Sequence, residues 1–301
     1  MLLDAASVWS KAWPILFAIL FFGVIILIHE LGHFTVAKLS GIKVNEFAIG
    51  MGPKLLSFGK GETKYSLRLI PMGGYVQMEG EDEASEDERA FNQKPVWKRF
   101  LVVIAGAVMN IILGLVLVAI LLTQQNLIGT TQIAGFHENA SSQSSGLQEG
   151  DVITHINGTS VWSDRDISFL MARDRDGVID FTVKRDGQKT ELKNVKFDTR
   201  EVDGQTVITF DFIIIGENKT FWNVLKTSFL ETASMARLVW LSLFDLVTGR
   251  FGLSDLAGPV GTVSVIAEAT TSGGFLNALS LMAFITINIG VFNLLPIPGL
   301  D

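Results

Sequence analysis

The sequence predicts a polytopic α-helical membrane protein with three spans, a membrane-associated β-hairpin region on the cytoplasmic side, and one small α/β domain on the other side. Three observations predict it. Residues 12–28, 100–122 and 269–300 carry no charged side chain, and a bilayer core of about 30 Å needs about 20 apolar residues as helix. Lysine and arginine crowd into one of the intervening segments. Two other stretches alternate apolar and polar residues between glycine turns, which is the period of a half-buried strand. The composition agrees: 48% of the 301 residues are apolar, 18% are charged, and the mean hydropathy is +0.39.

The first span occupies residues 1–36. Its charge-free core of residues 12–28 is short for a bilayer, so the helix must continue past His29 toward Val36. That continuation places ionisable residues at membrane depth, where they are expensive and mark function. Residues 37–99 form the hairpin region and an acidic linker. Residues 44–78 alternate apolar and polar positions and are interrupted by Gly50, Gly52, Gly59, Gly61, Gly73 and Gly74, which reads as a hairpin or meander. The acidic run 79–88 reads as a solvated, partly disordered linker. Ten lysines and arginines lie in residues 34–99, against Lys11 alone in the N-terminal stub, so the 34–99 segment is cytoplasmic and the N-terminus outside.

Residues 100–123 form the second span, with Asn110 as its one strongly polar side chain. Residues 129–200 read as the outside α/β module, with a glycine turn, a strand and an Asn157-Gly158 turn, followed by strands joined through Asp186-Gly187. Residues 221–248 place apolar side chains at helical spacing among Lys226, Glu231, Arg237 and Asp245, the pattern of an amphipathic helix lying at the membrane surface. Residues 269–301 form the third span, broken near its end by Pro296 and Pro298.

The chemistry concentrates in His29-Glu30-Leu31-Gly32-His33, an H-E-x-x-H sequence. Residues four apart share a helical face, so both imidazoles can reach one ion, while Glu30 can take a proton from water at that ion. With only four histidines in the chain, such a match is not a chance expectation. The pattern points to zinc-dependent peptide hydrolysis. A catalytic zinc takes three protein ligands and leaves a position open for water. Cysteine is absent, and His137 and His155 fall in the outside module, so the third ligand should be a carboxylate from another span. Asp301 is the candidate, although an aspartate that only marks a span's end fits the residues as well. A helical substrate must unwind before cleavage, and pairing with an edge of the 44–78 hairpin would hold it extended. The net charge of −7 excludes a nucleic-acid partner of the usual basic kind.

Together, His29 to Phe34, Gly50-Met-Gly-Pro53, Ile70 to Val76, Ala105 to Asn110, Gly258-Pro-Val-Gly261 and Asn293 to Asp301 resemble the site-2 intramembrane zinc metalloproteases. The likeness is to their bacterial regulator-of-sigma-E protease branch, of the type with a single PDZ-like domain. The resemblance implies that Asp301 is the third zinc ligand, and that Asn110, with Asn288 or Asn293, contacts an oxyanion or a substrate strand. It implies a bacterial plasma-membrane location. The implied partners are membrane lipid and single-span or signal-peptide substrates, including anti-sigma factors, whose outer part has been trimmed. It also implies a fourth span beyond Asp301. One departure is visible: Gly106-Ala107 stands where the family often has Gly-Pro, which implies a weaker local bend. Two other readings remain, a catalytically inactive membrane PDZ scaffold and a metal transporter. The intact Glu30 speaks against the first, and the outside module is superfluous to the second.

Overall fold

The structure is a computed structural model that describes residues 5–174, 176–202, 205–248 and 274–295. The chain divides into two compact units, one of residues 1–121 with 235–301, the other of residues 122–234.

In the first unit, α1 (Ala5–Leu39) runs without interruption through the H-E-x-x-H sequence. It ends where Gly41 adopts a φ of 72°, a left-handed conformation that costs glycine nothing. There the Gly41 N–H bonds the Lys38 carbonyl and the Ile42 N–H bonds the Ala37 carbonyl, the two bonds of a Schellman cap. The second long helix, α2 (Val96–Gln124), is continuous through Gly106-Ala107. Among the described residues, α6 (Gly274–Asn293) is the third helix long and apolar enough to cross a membrane, with residues 16–39 of α1 and the whole of α2. Pro296, Pro298, Asp301 and the Gly258–Gly261 motif lie outside the described residues.

Between α1 and α2, β1 (Val44–Phe58) and β2 (Lys64–Met78) form more than the single hairpin expected from the alternation. Each strand folds back on itself, β1 near Gly50 and Gly52 and β2 near Gly73, where φ is 83°, 81° and 96°. Residues 46–49 therefore pair with residues 74–77 on one side and residues 64–67 on the other, and residues 65–67 pair again with 56–58. The result is four rows, with 74–78 and 54–58 outermost. Phe47, Val76 and Met78 pack with Ala37 of α1 and Val102 of α2. By contrast Met51, Leu55, Leu56, Phe58, Leu69 and Ile70 are exposed, an apolar surface suited to lipid rather than to water.

The acidic run is a folded segment, contrary to the disordered linker its composition suggested. Glu79 accepts hydrogen bonds from Asn45, Ser85 and Lys43, which hold its carboxyl down at about 2. Lys43 also pairs with Asp87, and Asn92 and Gln93 donate to the Ser85 carbonyl. Composition registers the net charge of such a run, but not the donors that a neighbouring strand brings to it.

The second unit begins with β3 (Ile128–Phe136). It continues through the one-turn α3 (Ser141–Ser144), β4 (Val152–Ile156), β5 (Thr159–Ser160), α4 (Asp164–Ala172), β6 (Val178–Arg185) and β7 (Gln188–Lys196). β8 (Thr199–Val202) pairs β9 (Gln205–Ile208) as a separate two-stranded sheet. β10 (Phe212–Glu217) then closes back onto β3, giving the sheet order β10-β3-β4-β6-β7 with β5 on β4. The sheet thus draws its edge strand from beyond residue 200. Inside it, Asp151 is fully buried and accepts both arms of the Arg185 guanidinium at 2.7 and 2.8 Å. Arg185 also donates to the Gly146 carbonyl, tying the glycine turn to the sheet.

Residues 221–248, expected as an amphipathic helix, are described as α5 (Phe221–Val247), and its faces are inverted relative to a water-soluble helix. Ser228, Glu231, Thr232 and Ser234 are buried, while Phe221, Trp222, Leu225, Phe229, Trp240 and Phe244 stand exposed on the opposite arc. Among them, the Ser228 hydroxyl donates to the Val224 carbonyl. Glu231 pairs with Arg165 at 2.6 Å, and the Ser234 hydroxyl donates to Asp166 at the start of α4. Burial pushes the Glu231 carboxyl upward against the lowering influence of Arg165.

Candidate metal centre

The site is built where α1 and α2 touch backbone to backbone. A side chain at Gly32 would fall 2.5 Å from the Ala105 carbonyl oxygen, so only glycine allows this approach. The close crossing brings His29 and His33, one helical turn apart, against the 102–110 stretch of α2. Their Nε2 atoms lie 3.1 Å from each other. Two nitrogens bound to one tetrahedral zinc at about 2.0–2.1 Å lie about 3.3 Å apart, so the rings are already spaced to share an ion.

Their far sides are held as well. His33 Nδ1 lies 2.8 Å from the Val102 carbonyl oxygen, which can only accept. The hydrogen of that ring therefore sits on Nδ1, and the lone pair sits on Nε2, toward His29. His29 is 7% exposed, and its Nδ1 lies 3.2 Å from the Asn110 carboxamide, which is fully buried. The Asn110 backbone carbonyl accepts a bond from Thr286 of α6, so the helix–helix hydrogen bond here uses the backbone and leaves the side chain to the histidine.

The space between the rings is kept by Gly106. A methyl group there would lie 2.3 Å from His33 Nε2 and 2.6 Å from His29 Nε2, within the volume that a shared ion needs. The residues present therefore fit a zinc ion: two imidazole Nε2 atoms facing each other, and a cradle that a single Cβ would fill. Among the described residues no group of three His, Cys, Asp or Glu side chains gathers to hold a metal, and Asp301, the expected third ligand, lies outside them.

Glu30, the expected base, sits on α1 beside the outermost row of the β-sheet. A Cβ at Gly74 would come within 3.0 Å of Glu30 Cγ and 3.0 Å of the Ala48 carbonyl oxygen, so glycine lets the strand pass directly over the carboxylate arm. Of the asparagines named from the sequence, Asn110 reaches the histidine pair. Asn288 turns along its own helix and donates to the Phe284 carbonyl at 2.8 Å. Asn293 is half-buried at the last turn of α6. Sequence reasoning missed the Val102 carbonyl, since backbone acceptors leave no mark in a sequence. It also missed the steric part of Gly106, since the space that a glycine leaves open depends on which helix faces it.

Comparison with known proteins gives a consistent picture. The description of peptidase family M50 matches residues 17–301. A candidate zinc metalloprotease of Clostridium acetobutylicum is 42% identical over 288 residues, covering 95% of this chain and 84% of its own. The regulator of sigma-W protease RasP of Bacillus subtilis is 29% identical over 365 residues, covering 94% and 86%. The zinc metalloprotease RasP of Bacillus licheniformis is 30% identical over 373 residues, with the same coverage of 94% and 86%.

Proposed function

The chain belongs to peptidase family M50 and is a multi-pass membrane zinc metalloprotease, and from that premise we propose that it is an intramembrane endopeptidase acting on transmembrane segments. The observation that carries this reading is the His29–His33 pair, its Nε2 atoms 3.1 Å apart within a helix long and apolar enough to span a bilayer. Expensive polar residues at that depth need a functional reason.

In this reading His29, His33 and Asp301 hold the zinc, and Asp301 reaches it from the segment that follows α6. Bound zinc supplies a water of pKa about 7 and a Lewis acid for the scissile carbonyl. Glu30 takes the proton from the attacking water and returns it to the leaving nitrogen. A substrate helix must first unwind, because its carbonyls are hydrogen-bonded within it. The 74–78 row, outermost in its sheet and passing over Glu30, offers the backbone partners for the extended strand. Asn288 and Asn293 on α6 are candidates for contacts to that strand.

The N-terminus and the 129–200 module, read as PDZ-like, lie outside the cell, and residues 34–99 lie on the cytoplasmic side. The ten lysines and arginines of that segment support this orientation. α5 rests its aromatic face on the bilayer, as its outward Phe and Trp side chains favour. The substrates are single-span proteins already trimmed outside, such as anti-sigma factors, and remnant signal peptides. The similarity to a protein named regulator of sigma-W protease supports that class.

The test is cleavage of a reporter transmembrane helix by the unaltered protein and by Glu30→Gln, with zinc content measured on both. Loss of the base should slow cleavage by about 10²–10⁴-fold with zinc retained. Equal cleavage by the two proteins ends the reading. A chain that holds zinc and cleaves no transmembrane helix is instead a membrane scaffold.

A further inference from the structure

We propose that Asn110 is a positioning residue whose carboxamide oxygen selects the metal-binding tautomer of His29. The inference rests on the zinc site proposed above and concerns how that site is prepared for its ion. His33 has its tautomer set by a backbone carbonyl, which can only accept. His29 turns its Nδ1 to the Asn110 side chain at 3.2 Å, on a residue that is 0% exposed. A carboxamide presents a donor on one branch and an acceptor on the other, in nearly the same shape.

The two orientations have opposite consequences at the far side of the ring. With Nδ2 toward His29, the ring nitrogen Nδ1 must accept, and the ring hydrogen sits on Nε2. It then points at His33 Nε2, 3.1 Å away, and the two histidines close on each other as a hydrogen-bonded pair. This arrangement leaves Asn110 Oδ1 buried with no hydrogen-bond partner among the described residues. With the amide turned by 180°, Oδ1 accepts the hydrogen of His29 Nδ1. Both Nε2 lone pairs then converge on the volume that Gly106 keeps open. The acceptor left idle in the first state is thus the group that the loaded state requires. Asn110 lets the metal-free pair close on itself and lets the loaded pair open. A second partner that orients a metal-bound imidazole is worth about 10–100-fold in metal affinity.

The experiment measures zinc affinity, by competition with a chelator, in the full chain purified in detergent. Asn110→Leu removes the acceptor at similar volume, and Asn110→Asp keeps an oxygen at the same place. Expected is zinc binding weakened about 10–100-fold in Asn110→Leu and restored to within about threefold of the unaltered protein in Asn110→Asp. The metal-free proteins should unfold at similar temperatures. If Asn110→Leu does not fold, Asn110→Ser, too short to reach the ring, gives the same reading. Unchanged zinc affinity in the Leu or Ser variant overturns the proposal, as does a loss in Asn110→Asp equal to that in Asn110→Leu. An unaltered protein that binds no zinc would instead sink the zinc site itself, so the two failures are distinguishable.

Discussion

Gly106 acts through the side chain it lacks. Adding one methyl group would place a carbon 2.3 Å from His33 Nε2 and 2.6 Å from His29 Nε2, well inside van der Waals contact. Both rings are anchored on their far sides, His33 to Val102 and His29 to Asn110, so neither yields without breaking a bond. Gly106→Ala should therefore lower zinc occupancy by at least about tenfold and abolish cleavage, while the chain still inserts and purifies as a folded protein. Zinc content equal to the unaltered protein would mean that the ion does not sit between the two rings. Alanine is the better helix former, so a loss here could not be blamed on helix propensity.

Among the elements, the folded-back β-sheet carries the sharpest consequence. Residues 74–78 form an outer row, and Gly74 is the point where that row crosses Glu30. If an unwound substrate pairs along this row, removing a backbone donor from it should matter most for substrates that must be unwound. Gln77→Pro is expected to slow cleavage of a helical transmembrane substrate about fivefold more than cleavage of one already opened by helix-breaking residues, one lost hydrogen bond being worth about 1 kcal/mol. Equal slowing of both substrates counts against strand pairing there. At α5, helical periodicity in the sequence showed that two faces exist. It could not say which face turns inward. That was decided by Arg165 and Asp166 of α4, which supply partners for Glu231 and Ser234 and so draw the polar side in.

For the molecule as a whole, the 122–234 unit begins and ends its sheet at one place. Glu217 at the end of β10 pairs with Ile128 at the start of β3, so the two ends are about 5 Å apart. Deleting residues 128–217 and joining Leu127 to Asn218 through a short glycine–serine linker removes the sheet without separating what flanks it. A deletion ending at residue 197 would instead strand β10 as an unpaired edge. If the unit excludes substrates by size, the deletion variant should cleave substrates whose outer part is intact, at rates approaching those for trimmed ones. Loss of cleavage on every substrate would show that the unit grips substrates rather than excluding them.

The apolar runs, the H-E-x-x-H spacing and the lysine–arginine asymmetry were legible in the residues themselves, because each is a local property: a span's length, one helical turn, a count of charges. From these the sequence alone determined three helices able to span a bilayer, two imidazoles on one helical face, and a carboxylate beside them. Only the tertiary structure decided that Asn110 answers to His29, that Gly106 keeps the ion's space, that the acidic run is a folded segment, and that β10 returns to β3. Each of these depends on residues far apart in the chain meeting through backbone atoms or through empty volume, and neither a carbonyl oxygen nor a missing methyl group has a letter of its own.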